Sequence, residues 1–479
     1  MRRRFACVFC LSVSGALSCG PAEKPVDPHL VAGWMDALYG AVRAEQLSPP
    51  VASRLYAYAA VALYEGIAPP GPQHRSLAGQ LNGLEPLPRP DPGRSYDWPT
   101  VAVTAETTVL HTLLREARPA TLAALASLAD SQLAVRPGTA AAVRSRSVAY
   151  GGALGGALAA WAAVDGFAQT RGLVYVPPRG RGLWVNTATP DQYRTLSLSA
   201  VSSMVALQNP ADTLAPALAG ERALLIDRPK PAGARTLPAA NVAGITEPFW
   251  GRLRPFVVAT DTECAALPPP RYANDTVSSF YHQARAVYDT ARFLTEDQRQ
   301  IALFWADNPG QTGTPPGHWV RILSQVVEER RLGAAQAAET FALMAVGMAD
   351  AFIAAWREKF HSNVMRPVTY IRRRIDPTWY PLIVTPSFPE YPSAHSVESG
   401  VAATILTQLL GTVAFVDSTN LSIGFPPKPF PSFARAAAEV AVSRLYGGIH
   451  YPVSIANGLT QGQCLGRLVL ERIHTRGSP

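Results

Sequence analysis

Long alanine-rich segments, broken by proline and glycine, constrain this chain more than any other feature. The longest, residues 333–360, reads GAAQAAETFALMAVGMADAFIAAWREKF and is apolar on nearly every side, as in a helix buried within a large core. Hydrophobic residues make up 48% of the 479 positions and charged residues only 16%, which favours a packed globular protein. Because no segment alternates clearly between polar and apolar residues, we expect an all-α fold of two packed helical bundles.

The chain divides into two helical regions joined by an irregular one. Helical patterns occupy residues 27–167 and 273–475, and proline and glycine recur through residues 168–272. This middle region is too long for an ordinary loop. We therefore expect an ordered crossover that wraps the surface and is anchored by Trp184, Trp250 and Phe256. In the second helical region, TEDQ at residues 295–298 predicts a capping box, and Gly411 is typical of a helix end.

The first residues read MRRRFACVFCLSVSGALSC, three arginines followed by a short apolar run and small residues. This pattern predicts a secretory signal over residues 1–19 and hence export to the periplasm or the extracellular space. A lipid anchor on Cys19 stays open at this point. We expect no membrane-spanning segment after the leader. Cys264 and Cys464 could form a disulfide in an exported protein or remain two buried thiols.

The net charge of +8 says little about partners, since only four of the 43 cations are lysine and the excess is arginine. No basic run is interleaved with aromatic residues, so nucleic acid is not expected as a partner. Because lysine is so scarce, a lysine in a motif-like position is more informative than usual. The sequence leaves the oligomeric state open, a homodimer included.

Six polar residues interrupt the apolar second half near the ends of its helices. They are Lys359, Arg366, Ser393, His395, Arg444 and His450. Buried cations need partners, and the sequence shows no carboxylate matched to each one. A shared tetrahedral oxyanion would satisfy them, because arginine offers a fork of donors, lysine a point charge, and a helix beginning at PSAHS its free N–H groups. The two imidazoles could then coordinate or attack the central atom and transfer protons.

The same residues form three motifs in a fixed order. They are Lys359…Arg366-Pro367, Pro392-Ser393-Ala394-His395 and Ser443-Arg444…His450. Their order and spacing resemble the signature of the vanadium-dependent haloperoxidases and the related type-2 phosphatidic-acid phosphatases. FWADNPGQTGTPPGHW and EPFWGRLRPF are similar to segments of the secreted bacterial branch. The resemblance implies an all-α fold like that of vanadium chloroperoxidase.

The resemblance also implies a role for each motif residue. His450 would be the ligand of vanadium, or the nucleophile that forms a phosphohistidine in a phosphatase, and His395 would be the acid–base group. The remaining motif residues would hold the oxygens of vanadate or phosphate through their side chains or, for Ala394, through its backbone N–H: Lys359, Arg366, Ser393, Ala394 and Arg444. By the same resemblance, Trp356 and Phe388 would line a halide pocket, and Asp307 would pair with Arg444.

Two positions depart from the family signature. Ala394 stands where the family has glycine, and a left-handed backbone there would be costly for a residue with a Cβ. Ser454 stands where the family has an aspartate that orients the histidine four residues earlier. Serine would be a weaker, neutral substitute, so we expect weaker cofactor binding or a shifted pH optimum.

Three functions are consistent with these residues. The first is a vanadate-dependent haloperoxidase, with hydrogen peroxide and a halide as substrates. The second is an acid phosphatase that acts on a phosphate ester through a phosphohistidine at the same site. The third is a degenerate anion-binding protein, for which the departures at Ala394 and Ser454 are the sequence argument. Outside the motifs, His318 is interpreted as structural and His361 is given no role.

Overall fold

The computed structural model describes residues 27–71, 73–136, 138–187 and 244–477. The predicted signal, Cys19 and the centre of the predicted crossover lie outside these residues. The first half of the chain contains six helices among the described residues. They are α1 (Pro28–Glu45), α2 (Pro49–Ile67), α3 (Trp98–Leu113), α4 (Pro119–Ala134), α5 (Ala141–Ala163) and the short α6 (Phe167–Thr170).

The second half continues with helices and one small antiparallel hairpin. The helices are α7 (Ser279–Arg292), α8 (Glu296–Phe304), α9 (Thr314–Arg330), α10 (Ala334–Ser362), α11 (Pro367–Arg374), α12 (Ala394–Leu410), α13 (Phe433–Tyr446) and α14 (Pro452–Arg472). The hairpin pairs β1 (Phe415–Asp417) with β2 (Lys428–Phe430), Phe415 opposite Phe430. The expected all-α class is therefore confirmed.

Local sequence signals begin and end these helices where expected. Thr295 and Gln298 make both hydrogen bonds of the predicted capping box at the start of α8. Gly411 ends α12 with a φ of 81°, a conformation that glycine adopts without steric cost. Asp97 caps α3 by accepting from the N–H of Thr100.

Helix α10 lies at the centre of the molecule, where it packs against α2 from the first half and α12 from the second. One continuous apolar core runs from α1 to α14 through these contacts. The expectation that no later segment is apolar enough to span a membrane is wrong by length and composition alone. Ala334–Ser362 and Ala141–Thr170 both qualify, but the most apolar window of Ala334–Ser362 is 94% buried inside the protein. Burial in the core therefore accounts for the apolar character of α10.

The described parts of the irregular region, residues 168–187 and 244–272, are anchored to this core. Trp184, Trp250 and Phe256 are buried, as expected. The buried carboxylate of Asp350, on α10, accepts hydrogen bonds from three successive backbone N–H groups at residues 256–258, at 2.6, 2.8 and 3.0 Å. Cys264 and Cys464 form a disulfide that ties the region to α14. Together with a short 3-10 helix at Trp250–Arg252, these contacts fix the described part of the region.

Helices α12 and α14 approach each other closely because glycines line their contact. A Cβ on Gly462 would stand 1.9 Å from the carbonyl oxygen of Val397, and one on Gly458 would stand 2.8 Å from that of Ser393. No side chain fits at such distances. The close approach brings the start of α12 beside the start of α14, which places the PSAH and His450 segments together.

Candidate active site

The predicted motif residues converge in one buried place, although 91 positions separate Lys359 from His450. Lys359 lies in the last turn of α10, Arg366 directly precedes α11, and Ser393 caps α12. Arg444 lies in the last turn of α13. Gly448, with a φ of 76°, turns the chain after α13 and leads it to His450. The side chains of Lys359, Arg366, Arg444 and His450 are all buried, so the polar groups form an interior cluster of the predicted kind.

His450 is held at both ring nitrogens. Nε2 lies 3.1 Å from Nη1 of Arg366, and Nδ1 lies 2.9 Å from Oε1 of Glu390. Since a guanidinium can only donate, Nε2 accepts and the ring proton sits on Nδ1, donated to Glu390. Burial, then Arg366 and Lys359, hold the pKa of His450 well below its usual range. The imidazole is therefore neutral, with a lone pair on Nε2.

Glu390 is a site residue that the sequence reasoning missed. It is fully buried, and besides His450 it accepts hydrogen bonds from the backbone N–H of Tyr451 (2.9 Å) and the hydroxyl of Ser454 (2.7 Å). Ser454 is thus joined by a second residue, and the weaker cofactor binding or shifted pH optimum expected from a neutral serine stays a prediction. A carboxylate does contact the histidine, but it comes from position 390. Its only sequence signal was an acid inside the apolar stretch FPEYP.

Lys359 donates to three main-chain carbonyls of the segment before α12. They belong to Pro389, Glu390 and Pro392, with the Nζ–O distances at 3.1, 2.9 and 2.5 Å. All three ammonium protons are thereby engaged, so Lys359 shapes this loop while it contributes positive charge. Burial and then Arg366 lower the pKa of Lys359, whereas Glu390 raises it. Its predicted contact with an oxyanion stays a prediction.

Aromatic residues cover one side of the cations. The rings of Trp356 and Phe388 lie 4.8 Å apart, and Phe388 also faces the guanidinium of Arg366 at 4.9 Å and Nζ of Lys359 at 5.1 Å. Arg366 additionally donates from Nε to the Phe388 carbonyl and from Nη1 to that of Ile449. The structure thus places the two predicted pocket aromatics against the cationic cluster. Their role towards a halide stays a prediction.

Arg444 and His395 present buried nitrogen atoms that lack hydrogen-bond partners within the described residues. Nη1 of Arg444 donates to the carbonyl of Trp305 at 2.8 Å, but its Nε has no partner, and neither has Nε2 of His395. Burial lowers the pKa of Arg444 to about 9, against the attraction of Asp307. Burial, then Arg444 and Lys359, hold the pKa of His395 well below its usual range. An anion placed among these groups would offset both effects.

The start of α12 carries no backbone strain. Ala394 is the first helical residue and has an ordinary right-handed conformation. The energetic cost expected for a Cβ in a left-handed conformation therefore does not arise. Ser393 caps the helix, and its Oγ accepts from the N–H and the hydroxyl of Ser396. Its own hydroxyl proton stays free to donate. The helix terminus therefore offers the Ala394 N–H and the Ser393 hydroxyl to an anion.

The predicted pairing of Asp307 with Arg444 is wrong as a direct contact. Asp307 instead accepts from Nδ1 of His318 at 2.9 Å, and Asp417 accepts from Nε2 of the same ring at 2.8 Å. All three side chains are buried. Burial lowers the pKa of His318, but the two carboxylates raise it to about 10. His318 thus binds the carboxylate that was expected to pair with Arg444, and its interpretation as a structural residue stays a prediction.

This donor set fits a tetrahedral oxyanion. Among the described residues, the three buried cations of the cluster are matched by a single hydrogen-bonded carboxylate, that of Glu390, which joins the cluster through His450. Arg444 Nε and His395 Nε2 have unused hydrogen-bonding capacity, and α12 presents its N-terminus. Buried polar atoms rarely stay unpaired in native proteins, and one bound anion would satisfy several of them. Vanadate and phosphate share the required charge and shape.

Three comparisons with known proteins identify the family of this chain. Residues 339–477 match the model of the VCPO second helical-bundle domain. A vanadium chloroperoxidase of Curvularia inaequalis is 27% identical over 186 residues, which span 32% of this chain and 30% of that protein. A solved bacterial vanadium-dependent iodoperoxidase is 33% identical, with a TM-score of 0.77, covering 95% of this chain and 99% of its own.

Two further solved structures share the fold at lower identity. The apo and holo forms of a bacterial vanadium-dependent chloroperoxidase are each 14% identical to this chain, with TM-scores of 0.60 and 0.57 and coverage of 94% and 95% of the chain. At that identity they support the fold alone. The near-complete match to the iodoperoxidase, together with the matched second bundle, carries the assignment. This chain therefore belongs to the vanadium haloperoxidase superfamily.

Proposed function

We propose that this protein is a vanadate-dependent haloperoxidase, which uses hydrogen peroxide to oxidise a halide ion. In balance, peroxide, halide and one proton give hypohalous acid and water. The observation that supports this most is His450, a buried neutral imidazole whose Nε2 lone pair faces Arg366 within a cationic cluster. Bound vanadate supplies a Lewis acid that polarises peroxide without changing its own oxidation state.

Each residue then has a task that follows from its position. Nε2 of His450 would hold the vanadium, in place of the hydrogen bond that it accepts from Nη1 of Arg366. Arg366, Arg444 and Lys359 neutralise the charge of the oxyanion, and Arg444 can donate from its unused Nε. His395 can accept a proton at Nε2 from the incoming hydrogen peroxide. It can later return that proton to the peroxide oxygen that leaves as water. In this proposal the Trp356–Phe388 pair keeps water from the halide, because its aromatic faces cover one side of the cations.

Iodide is the halide to test first. The relative that matches nearly the full chain is named an iodoperoxidase, and iodide is chemically the easiest of the common halides to oxidise. Bromide and chloride demand a progressively stronger oxidant. A protein that oxidises iodide alone would still agree with the proposal. The range of halides that it oxidises would show how strong an oxidant the site generates.

The experiment adds orthovanadate to purified apoprotein and measures peroxide-dependent oxidation of iodide and bromide from acidic to neutral pH. The expected result is activity that requires vanadate and is lost in His450→Ala. The matched control is His111→Ala, since His111 is exposed on α3. Stoichiometric vanadate binding with no oxidation of any halide would refute the proposal. Release of phosphate from an ester without peroxide, abolished by His450→Ala, would identify a phosphatase instead.

A further inference from the structure

The carboxylate that contacts His450 comes from the loop before α12, whereas the family signature places an aspartate four residues after the histidine. Glu390 lies 60 positions before His450 and accepts its Nδ1 proton at 2.9 Å. The hydroxyl of Ser454, in the first turn of α14, makes no hydrogen bond to the ring in the described structure. It donates instead to the other oxygen of Glu390, at 2.7 Å. The two residues form one hydrogen-bonded chain that ends on the imidazole.

The environment of Glu390 permits little freedom. Oε1 accepts from His450 and from the N–H of Tyr451, and Oε2 accepts from Ser454. The main-chain carbonyl of Glu390 accepts from Lys359, which fixes the backbone at the same point. The side chain is fully buried, so water does not compete for these bonds. A carboxylate restrained in this way fixes both the rotation and the tautomer of the ring it contacts.

We propose that Glu390, supported by Ser454, is the residue that positions His450, holding its proton on Nδ1 so that Nε2 faces the oxyanion. This inference rests on the proposed vanadate site. The sequence suggested that Ser454 is a weak substitute for an aspartate. In this proposal its hydroxyl instead orients the carboxylate of Glu390. Glu390 acts through His450 and does not itself touch the oxyanion.

The geometry also explains how a carboxylate at either position 390 or position 454 could orient His450. Ser454 is the third residue of α14, where a negative side chain is favoured by the free N–H groups of the helix start. Its Oγ already lies within hydrogen-bond distance of the carboxylate. An aspartate at 454 would therefore reach the region that Glu390 occupies, provided that position 390 no longer carries a charge.

The test measures orthovanadate binding by apoprotein, with inorganic phosphate as a second probe. Glu390→Gln is expected to raise the dissociation constant about 10- to 100-fold, the usual effect of losing such a partner. The double variant Glu390→Gln with Ser454→Asp is expected to regain most of the lost affinity. Glu339→Gln, the same change at a buried glutamate bound to Thr475 and Arg476, is the control and should bind as wild type does.

A second readout needs no variant that might fold poorly. In apoprotein carrying ¹⁵N-labelled histidine, the resonance lost in His450→Ala should show the proton on Nδ1 and an unprotonated Nε2. An Nε2–H tautomer would overturn the inference, as would unchanged vanadate affinity in Glu390→Gln. Failure of the double variant to regain affinity would show that the carboxylate is not interchangeable and would also count against it. A wild type that binds vanadate but oxidises no halide would refute the proposed function alone.

Discussion

Replacing His318 tests whether the buried triad of Asp307, His318 and Asp417 stabilises the part of the fold that contacts Arg444. Its ring lies between Asp307 and Asp417, with nitrogen–oxygen distances of 2.9 and 2.8 Å, and the indole of Trp305 lies 4.3 Å from it. Trp305 in turn accepts from Arg444 through its carbonyl. Because both ring nitrogens donate to carboxylates, His318 is an imidazolium. Loss of its charge would leave two buried carboxylates without their shared partner.

The pKa of His318 gives the size and sign of the effect. Burial lowers this pKa, but Asp307 and Asp417 raise it from 6.5 to about 10. The difference of about 3.5 pH units corresponds to about 5 kcal/mol of unfolding free energy. Because the folded-state pKa is raised, this contribution is fully present below pH 6.5 and is lost as pH rises through about 10.

The assay is urea unfolding of wild type and His318→Gln over that pH range, with the disulfide intact. The stability advantage of wild type should shrink by about 4 kcal/mol between pH 6.5 and 10, since part of the titration lies outside these limits. His74→Gln is an informative control, because burial lowers the pKa of His74 and its neutral form is favoured. Between pH 6.5 and 10 the stability of wild type relative to that variant should therefore stay nearly constant, and it should fall only below pH 6.5. An advantage over His318→Gln that stays constant with pH would refute the reasoning.

Three further predictions concern the disulfide, a cation and the start of α12. Replacing Cys264 and Cys464 by serine should lower the unfolding free energy by about 3–5 kcal/mol, since the bond closes a long loop; equal urea midpoints with and without reductant would contradict this. Arg444→Lys should weaken orthovanadate binding about tenfold or more by titration, because charge-assisted bonds contribute about 1.5–3 kcal/mol, whereas the exposed Arg435→Ala should not. Ala394→Gly should leave vanadate affinity unchanged and cost at most about 1 kcal/mol in urea unfolding; tighter binding would show that the Cβ obstructs the site.

The sequence predicted the features that depend on neighbouring residues. Helix periodicity, the capping box at Thr295 and the end of α12 at Gly411 are local signals, and the structure has all three. The convergence of the motif residues was also predictable, because buried cations at helix ends require a common partner. The anchoring role of Trp250 followed from a large aromatic side chain in an otherwise polar and irregular region.

The sequence did not predict contacts between distant acids and bases. Asp417 meets His318 across 99 positions, and Glu390 meets His450 across 60. No periodicity links such pairs, since each depends on how helices pack. The predicted Asp307–Arg444 contact failed for the same reason: a third group, His318, lies nearer to the carboxylate and donates to it directly. Predicting that competition requires the position of β1, which carries Asp417.

The Glu390–Ser454 arrangement shows why a departure from a sequence signature need not remove a function. A sequence signature specifies positions along the chain, whereas the orientation and tautomer of the histidine depend on the atoms around its ring. Here the loop that ends in PSAH already passes beside His450, because Lys359 binds three of its carbonyls. A glutamate in that loop reaches Nδ1, and once it does, a second carboxylate at 454 would add a like charge beside it in a buried site. A serine at 454 is then the compatible residue, since it can donate a hydrogen bond to the carboxylate that is present.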